Sequence, residues 1–156
     1  MRSLLFVLLF YLLLTFSVFA QNITQYYISP GKGIEGLLYL GQDMGKMFDQ
    51  WGASDTIQEG YGVLIYDYKR YQLTFGAEIY TNKVVMIFIN TYIYKTADNI
   101  CVGSSMSDVL RIYGSSYRIQ RETAMGGNAI FYDSIGIGFG INNNSVVSIA
   151  VYYPQR

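Results

Sequence analysis

Apolar positions from Leu40 to Gly52 fall at helical spacing: Met44, Met47, Phe48 and Trp51 occupy i, i+3, i+4 and i+7, which gives one apolar stripe on a short helix. Asp43 stands at the cap position before this stripe, and Gly52 follows it as a permissive stop. The same pattern returns from Val102 to Gly114, with Ser105 as cap, Asp108 three residues on, and Met106, Val109, Leu110 and Tyr113 as the stripe. Gly41 and Gly103 lie 62 positions apart, and so do Trp51 and Tyr113, and Gly52 and Gly114. These matched positions predict a tandem repeat with one helix in each copy.

Beyond each helix the period changes to two, as strands require. Gly62–Asp67 corresponds to Asn128–Asp133, Phe75-Gly76 to Phe139-Gly140, and Asn82–Ile89 to Asn144–Val151 at the offset of 62. Each copy therefore reads as helix, strand, strand, strand. Loops are expected at 53–61 and 115–127. Three strands and one helix cannot bury their apolar faces alone. The expected fold is α+β: two tandem helix-β-β-β repeats forming one antiparallel sheet with both short helices packed on one face. Alternation predicts Val85, Ile87, Ile89, Val147, Ile149 and Val151 toward the helices. The opposite face then carries Val84, Met86, Phe88, Ser148, Ala150 and Tyr152, and Met86, Phe88, Ser148 and Tyr152 form the candidate protein-binding face.

The chain divides into a signal peptide at 1–20, a polar and aromatic lead-in at 21–33 expected to be poorly ordered, repeat 1 at 34–93 and repeat 2 at 94–156. Met1-Arg2-Ser3, the apolar run from Leu4 to Phe16 and the ending Val18-Phe19-Ala20 have the order of a secretory signal, with cleavage expected after Ala20. The alternative is an N-terminal membrane anchor, because the run approaches the roughly 17–25 residues that span a bilayer. The expected localisation is secreted or periplasmic, with no integral membrane span once the signal is removed.

Composition narrows the chemistry. The sequence contains no histidine and one cysteine, Cys101. Histidine-assisted nucleophiles and zinc sites therefore cannot be built, and no catalytic, cofactor or metal residue is expected. Cys101 stands between Ile100 and Val102, as a small buried hydrophobe or else a reactive thiol. With 11 basic and 11 acidic residues and no basic strip, nucleic acid is not an expected partner. Asp67 and Asp133, each directly after a tyrosine, are turn residues or else a symmetric acid pair. Gly136, Gly138 and Gly140 alternate along a strand and leave a shallow trough that another chain could approach. The 16 tyrosines and 9 phenylalanines suit either pleated strands or a binding surface.

The segment Gly103-Ser104-Ser105-Met106-Ser107-Asp108-Val109-Leu110-Arg111-Ile112-Tyr113-Gly114 resembles the helix motif of the beta-lactamase-inhibitor-like (BLIP-like) and SmpA/OmlA-like small exported domains. The resemblance spans about residues 34–153 and implies a concave sheet used to bind another protein. The expected function is an exported, non-enzymatic binding protein engaging a protein or cell-envelope component through its sheet face. The alternatives are a structural or self-associating envelope protein, and an enzyme based on carboxylates.

Overall fold

The computed structural model describes residues 25–60, 62–123, 125 and 127–155. The export segment and its cleavage position after Ala20 lie outside them. The fold is dominated by sheet: among the described residues, twelve strands in two sheets accompany two helices of eight residues each. The expected pair of tandem helix-β-β-β repeats is therefore overturned.

The larger sheet contains β4 (Thr56–Gly60), β5 (Val63–Tyr68), β6 (Leu73–Glu78), β7 (Val84–Ile89), β9 (Arg118–Thr123), β10 (Gly127–Tyr132), β11 (Ile137–Asn142) and β12 (Ser145–Tyr152). Its order is β4-β5-β6-β7-β12-β11-β10-β9, and every neighbouring pair is antiparallel. The strands that the pattern missed are β4 and β9, which occupy the expected loops at both edges of the sheet. Their segments, TIQEG and RIQRET, contain one apolar residue each, so they show no alternation of apolar and polar positions.

A second sheet is built from β1 (Tyr27–Ser29), β2 (Gly33–Ile34), β3 (Leu38–Tyr39) and β8 (Lys95–Thr96), in the order β3-β2-β1-β8. The lead-in expected to be poorly ordered thus supplies strands. Ile28, Ile34 and Leu38 from this sheet join the main core and are buried, which is why a polar and aromatic stretch is held in place.

Helices α1 (Met44–Trp51) and α2 (Met106–Tyr113) start and stop as their caps require. Asp43 accepts from Gly45 N–H at 2.8 Å, and Ser105 accepts from Asp108 N–H at 3.1 Å. Both end at a glycine with positive φ, 76° at Gly52 and 80° at Gly114, a conformation that a side chain would strain. Gly41 and Gly103, also at positive φ, tie each helix entrance to the sheet. Gly41 N–H donates to Val84 C=O at 2.7 Å, and Gly103 N–H donates to Val146 C=O at 2.8 Å. Met44, Met47 and Val109 are buried in the same core as Phe75, Ile87, Phe139 and Ile149, while Trp51 and Tyr113 pack half-buried against it.

The assignment of residues to faces needs correction at two positions. β6 and β7 slip register between Gly76 and Ala77, so that Ala77 pairs with Val84 while Gly76 pairs with Met86. β11 and β12 slip likewise, Ile141 pairing with Val146 and Gly140 with Ser148. Each bulge absorbs one residue and reverses the alternation beyond it. Val84 and Val146 consequently enter the core, and Val85 and Val147, expected there, are only half-buried.

Candidate functional site

The face of the long sheet turned away from the helices carries a row of residues in direct register across six strands. Thr74 of β6 opposes Phe88 of β7, then Ala150 of β12, Gly138 of β11, Phe131 of β10 and Arg118 of β9. Ala150 near its middle, with Phe88 and Phe131 on either side, leaves a trough. Its volume is about 510 Å³, and its apolar lining is Met86, Phe88, Met125, Phe131, Ala150 and Tyr152.

The glycines on this face do not leave the open strip expected of them. A Cβ at Gly138 would stand 2.6 Å from Cδ1 of Phe131, so the ring already lies over that glycine. Gly140 is covered by Met125 in the same way. Met125 is held there by Ser148, whose hydroxyl donates to the Met125 carbonyl at 2.7 Å. A small cluster of Met125, Ala129 and Ala150 results, flanked by Phe88, Phe131 and Tyr152.

Of the candidate binding residues, Met86, Phe88 and Tyr152 line this trough side by side, with Tyr152 paired to Met86 and Ala150 to Phe88. Ser148 is only 3% exposed and lies beneath Met125, so it shapes the trough without reaching an occupant. The structure adds Arg118, Gln120, Thr123, Met125, Phe131 and Gln155. Arg118, Gln120, Thr123 and Met125 fell in an expected loop. Phe131 could have been found as the apolar outward neighbour of core-facing Ile130 and Tyr132.

One rim is polar and internally neutralised. Arg118 makes a two-point contact with Asp133, Nε to Oδ2 at 2.7 Å and Nη2 to Oδ1 at 3.0 Å, while its guanidinium carbon stands 4.5 Å from the centre of the Phe131 ring. Tyr152 donates its hydroxyl hydrogen to Asp133 Oδ1 at 2.9 Å. The guanidinium hydrogen bonds hold the Asp133 carboxyl below its ordinary range, despite an opposing contribution from burial. Burial first, then Asp133, pushes the Tyr152 hydroxyl above its ordinary range. Asp133 is thus ionised and Tyr152 protonated at neutral pH, and neither is poised to exchange a proton there.

The acid pair considered for Asp67 and Asp133 is not assembled. Asp67 is on β5 and accepts from Thr74 at 3.1 Å, whereas Asp133 follows β10, five strand spacings away, or roughly 24 Å at the usual separation. Among the described residues no three histidine, cysteine, aspartate or glutamate side chains gather as a metal site. Cys101 is half-buried, with its N–H donating to Ser104 Oγ at 3.0 Å in the turn before α2. No described helix is long and apolar enough to cross a membrane.

No family model matches the chain, and no curated protein matches it. Solved structures do share its fold. An extracellular protein containing a SCP domain from Bacillus anthracis aligns with a TM-score of 0.54 and 15% identity over 73% of this chain and 44% of that one. This chain thus spans less than half of that protein. An uncharacterized Escherichia coli protein, yfeY, aligns at 0.55 with 9% identity, covering 83% of this chain and 99% of its own. A Bacillus subtilis protein of the DUF4309 family, YjgB, aligns at 0.53 with 10% identity, covering 79% and 88%. Similarity at these identities establishes a shared sheet-rich fold. None of these three is described as a beta-lactamase inhibitor or as SmpA/OmlA-like.

Proposed function

We propose that this chain is an exported, non-enzymatic binding protein that receives an apolar segment of a protein or cell-envelope component in the trough over β12. The observation that carries this reading is the space between Phe88 and Phe131 with Ala150 at its floor, on the solvent face of a sheet whose other face already packs the core. Aromatic and methionine side chains bury much area when an apolar partner displaces water from them. The rim contributes amides, a hydroxyl and a neutralised ion pair, which favours an uncharged apolar insert over an anionic ligand. An export-type N-terminus, a fold shared with a protein described as extracellular, and the resemblance to beta-lactamase-inhibitor-like domains all support this reading.

The test is site-specific photocrosslinking in the native host. A photoreactive side chain at position 88 is expected to give an adduct of one defined mass, while the same group at the exposed turn residue Thr81 gives none. Phe131→Ser should abolish the adduct without unfolding the chain. Equal labelling from positions 81 and 88, or no adduct from 88, would remove the trough as a binding site.

A further inference from the structure

The long sheet ends in two uncovered strands, one acidic and the other carrying two arginines, of which Arg118 is already paired with Asp133. At one edge, β4 is exposed from Thr56 to Glu59 and carries Glu59, with Asp55 just before it. At the other, β9 carries Arg118 and Arg121 and, by sequence, Glu122. Each edge presents one large apolar residue, Ile57 at 57% exposure and Ile119 at 54%. Ile57 pairs with Tyr66 and Ile119 with Ile130, both core residues, so the two isoleucines emerge on the same side of the sheet.

From this geometry we infer that β4 of one copy of this chain pairs with β9 of another and continues the sheet from molecule to molecule. The eight strands alternate in direction throughout, so β4 and β9 run opposite ways. A second copy displaced along the sheet therefore meets the first in antiparallel fashion with the same face up. Residues directly opposed in an antiparallel ladder share a face. Placing Ile57 against Ile119 covers both isoleucines and sets Asp55 opposite Arg121, Gln58 opposite Arg118 and Thr56 opposite Gln120. Edge charges ordinarily guard against pairing between sheets. Here Asp55 and Glu59 keep one β4 from another, while the Asp55–Arg121 pair is an attraction that only β4 against β9 provides. Such a head-to-tail contact does not close on itself after two copies, so it builds an open filament or a ring. The inference does not require the trough to be occupied, although β9 contributes Arg118 and Gln120 to its rim.

The test uses protein expressed from the full sequence, purified as the cell delivers it, in a Cys101→Ser background. Ile57→Cys and Ile119→Cys proteins, both fully reduced, are oxidised each alone and, in parallel, as an equimolar mixture. Disulfide-linked dimers are expected from the mixture alone, and a ladder of higher species from the chain bearing both cysteines. Sedimentation of the unsubstituted protein should show mass rising with concentration, and Arg121→Asp should move that rise to about tenfold higher concentration. Cross-linking of either single variant by itself would mean that like edges pair, and would overturn the inference. So would a strict monomer at about 1 mM with Trp51 fluorescence still native, since association weaker than that is negligible.

Discussion

In the first half of the long sheet Tyr68 donates its hydroxyl hydrogen to the carbonyl of Gly52 at 2.9 Å, and in the second half Tyr132 does the same to Gly114 at 2.7 Å. Each bond ties the last turn of a helix to the second strand that follows it. The entrances match as well, through the bridges Asp43 to Lys83 and Ser105 to Ser145. The solvent faces do not match. In the first half Met86 lies over Gly76, and a Cβ there would stand 2.8 Å from its Cγ. In the second, the longer turn between β9 and β10 folds Met125 back over Gly140, where Ser148 fastens it. Two equivalent frames thus present different surfaces, and a few residues in one turn make the difference. A frame held by caps, bulges and tyrosine hydroxyls leaves the outward positions free to diverge.

The largest effect that can test the equivalence comes from the core. Phe75 and Phe139 are both fully buried, Phe75 stacked against Tyr66 and Tyr68, Phe139 between Tyr113 and Tyr132. Phe75→Ala and Phe139→Ala should each cost about 3–5 kcal/mol in urea unfolding. Costs alike to within about 1 kcal/mol would support one cooperative core, given the spread at fixed chemistry. A loss confined to one half, with two separated transitions, would show that the halves unfold independently.

Helix positions and the two long outward-alternating strands were legible because cap, stripe and glycine stop are local signals. Asp43, Ser105, Gly52 and Gly114 announce their roles within four residues of sequence. The edge strands were not legible, because β4 and β9 expose nearly every side chain and so carry no burial pattern. The bulges at Gly76 and Gly140 were hidden for a different reason. A bulge is fixed by pairing with a neighbouring strand, and one inserted residue reverses every later assignment to a face, as Val84 and Val85 demonstrate. Half of the trough was visible as the apolar outer positions of β7 and β12. The other half depended on a turn that brings Met125 to residues 15 and more positions away in sequence.

A smaller effect is expected at the helix ends. Trp51 rests on Tyr68, Tyr71 and Phe75, its ring centre 4.3 Å from that of Tyr71. Tyr113 packs on Tyr132 and Phe139. Both are half-buried, so truncation should cost less than for a fully buried ring. Trp51→Ala and Tyr113→Ala are each expected to lose about 2 kcal/mol. Gln50→Ala, an exposed residue beside Trp51, should change stability by less than about 0.5 kcal/mol. Denaturant melts followed by circular dichroism would check all three. A Trp51→Ala cost as small as that of Gln50→Ala would break the correspondence between the two helix ends.

The smallest expected effect separates the halves by pH. Among the described residues the one ion pair between separate elements, Arg118 of β9 to Asp133 in the turn after β10, belongs to the second half. Arg118 lowers the pKa of Asp133 in the folded state relative to the roughly 3.9 of an unfolded aspartate. The unfolded chain therefore binds more protons in that region, and stability rises with pH through it. The contribution is fully present above the unfolded value and is lost as pH falls through the folded one. With the guanidinium half exposed, solvent screening limits the pair to about 1 kcal/mol or less. Asp133→Asn should accordingly be less stable than the parent by up to that amount at pH 6, and the gap should close as pH falls through the folded value of Asp133, below which both carry a neutral side chain. Adding about 1 M salt at pH 6 should shrink the gap, because exposed charges are screened over a few ångströms at that ionic strength. A difference that persisted unchanged as pH falls would assign the role of Asp133 to its hydrogen bond with Tyr152, which an uncharged amide loses or weakens at any pH.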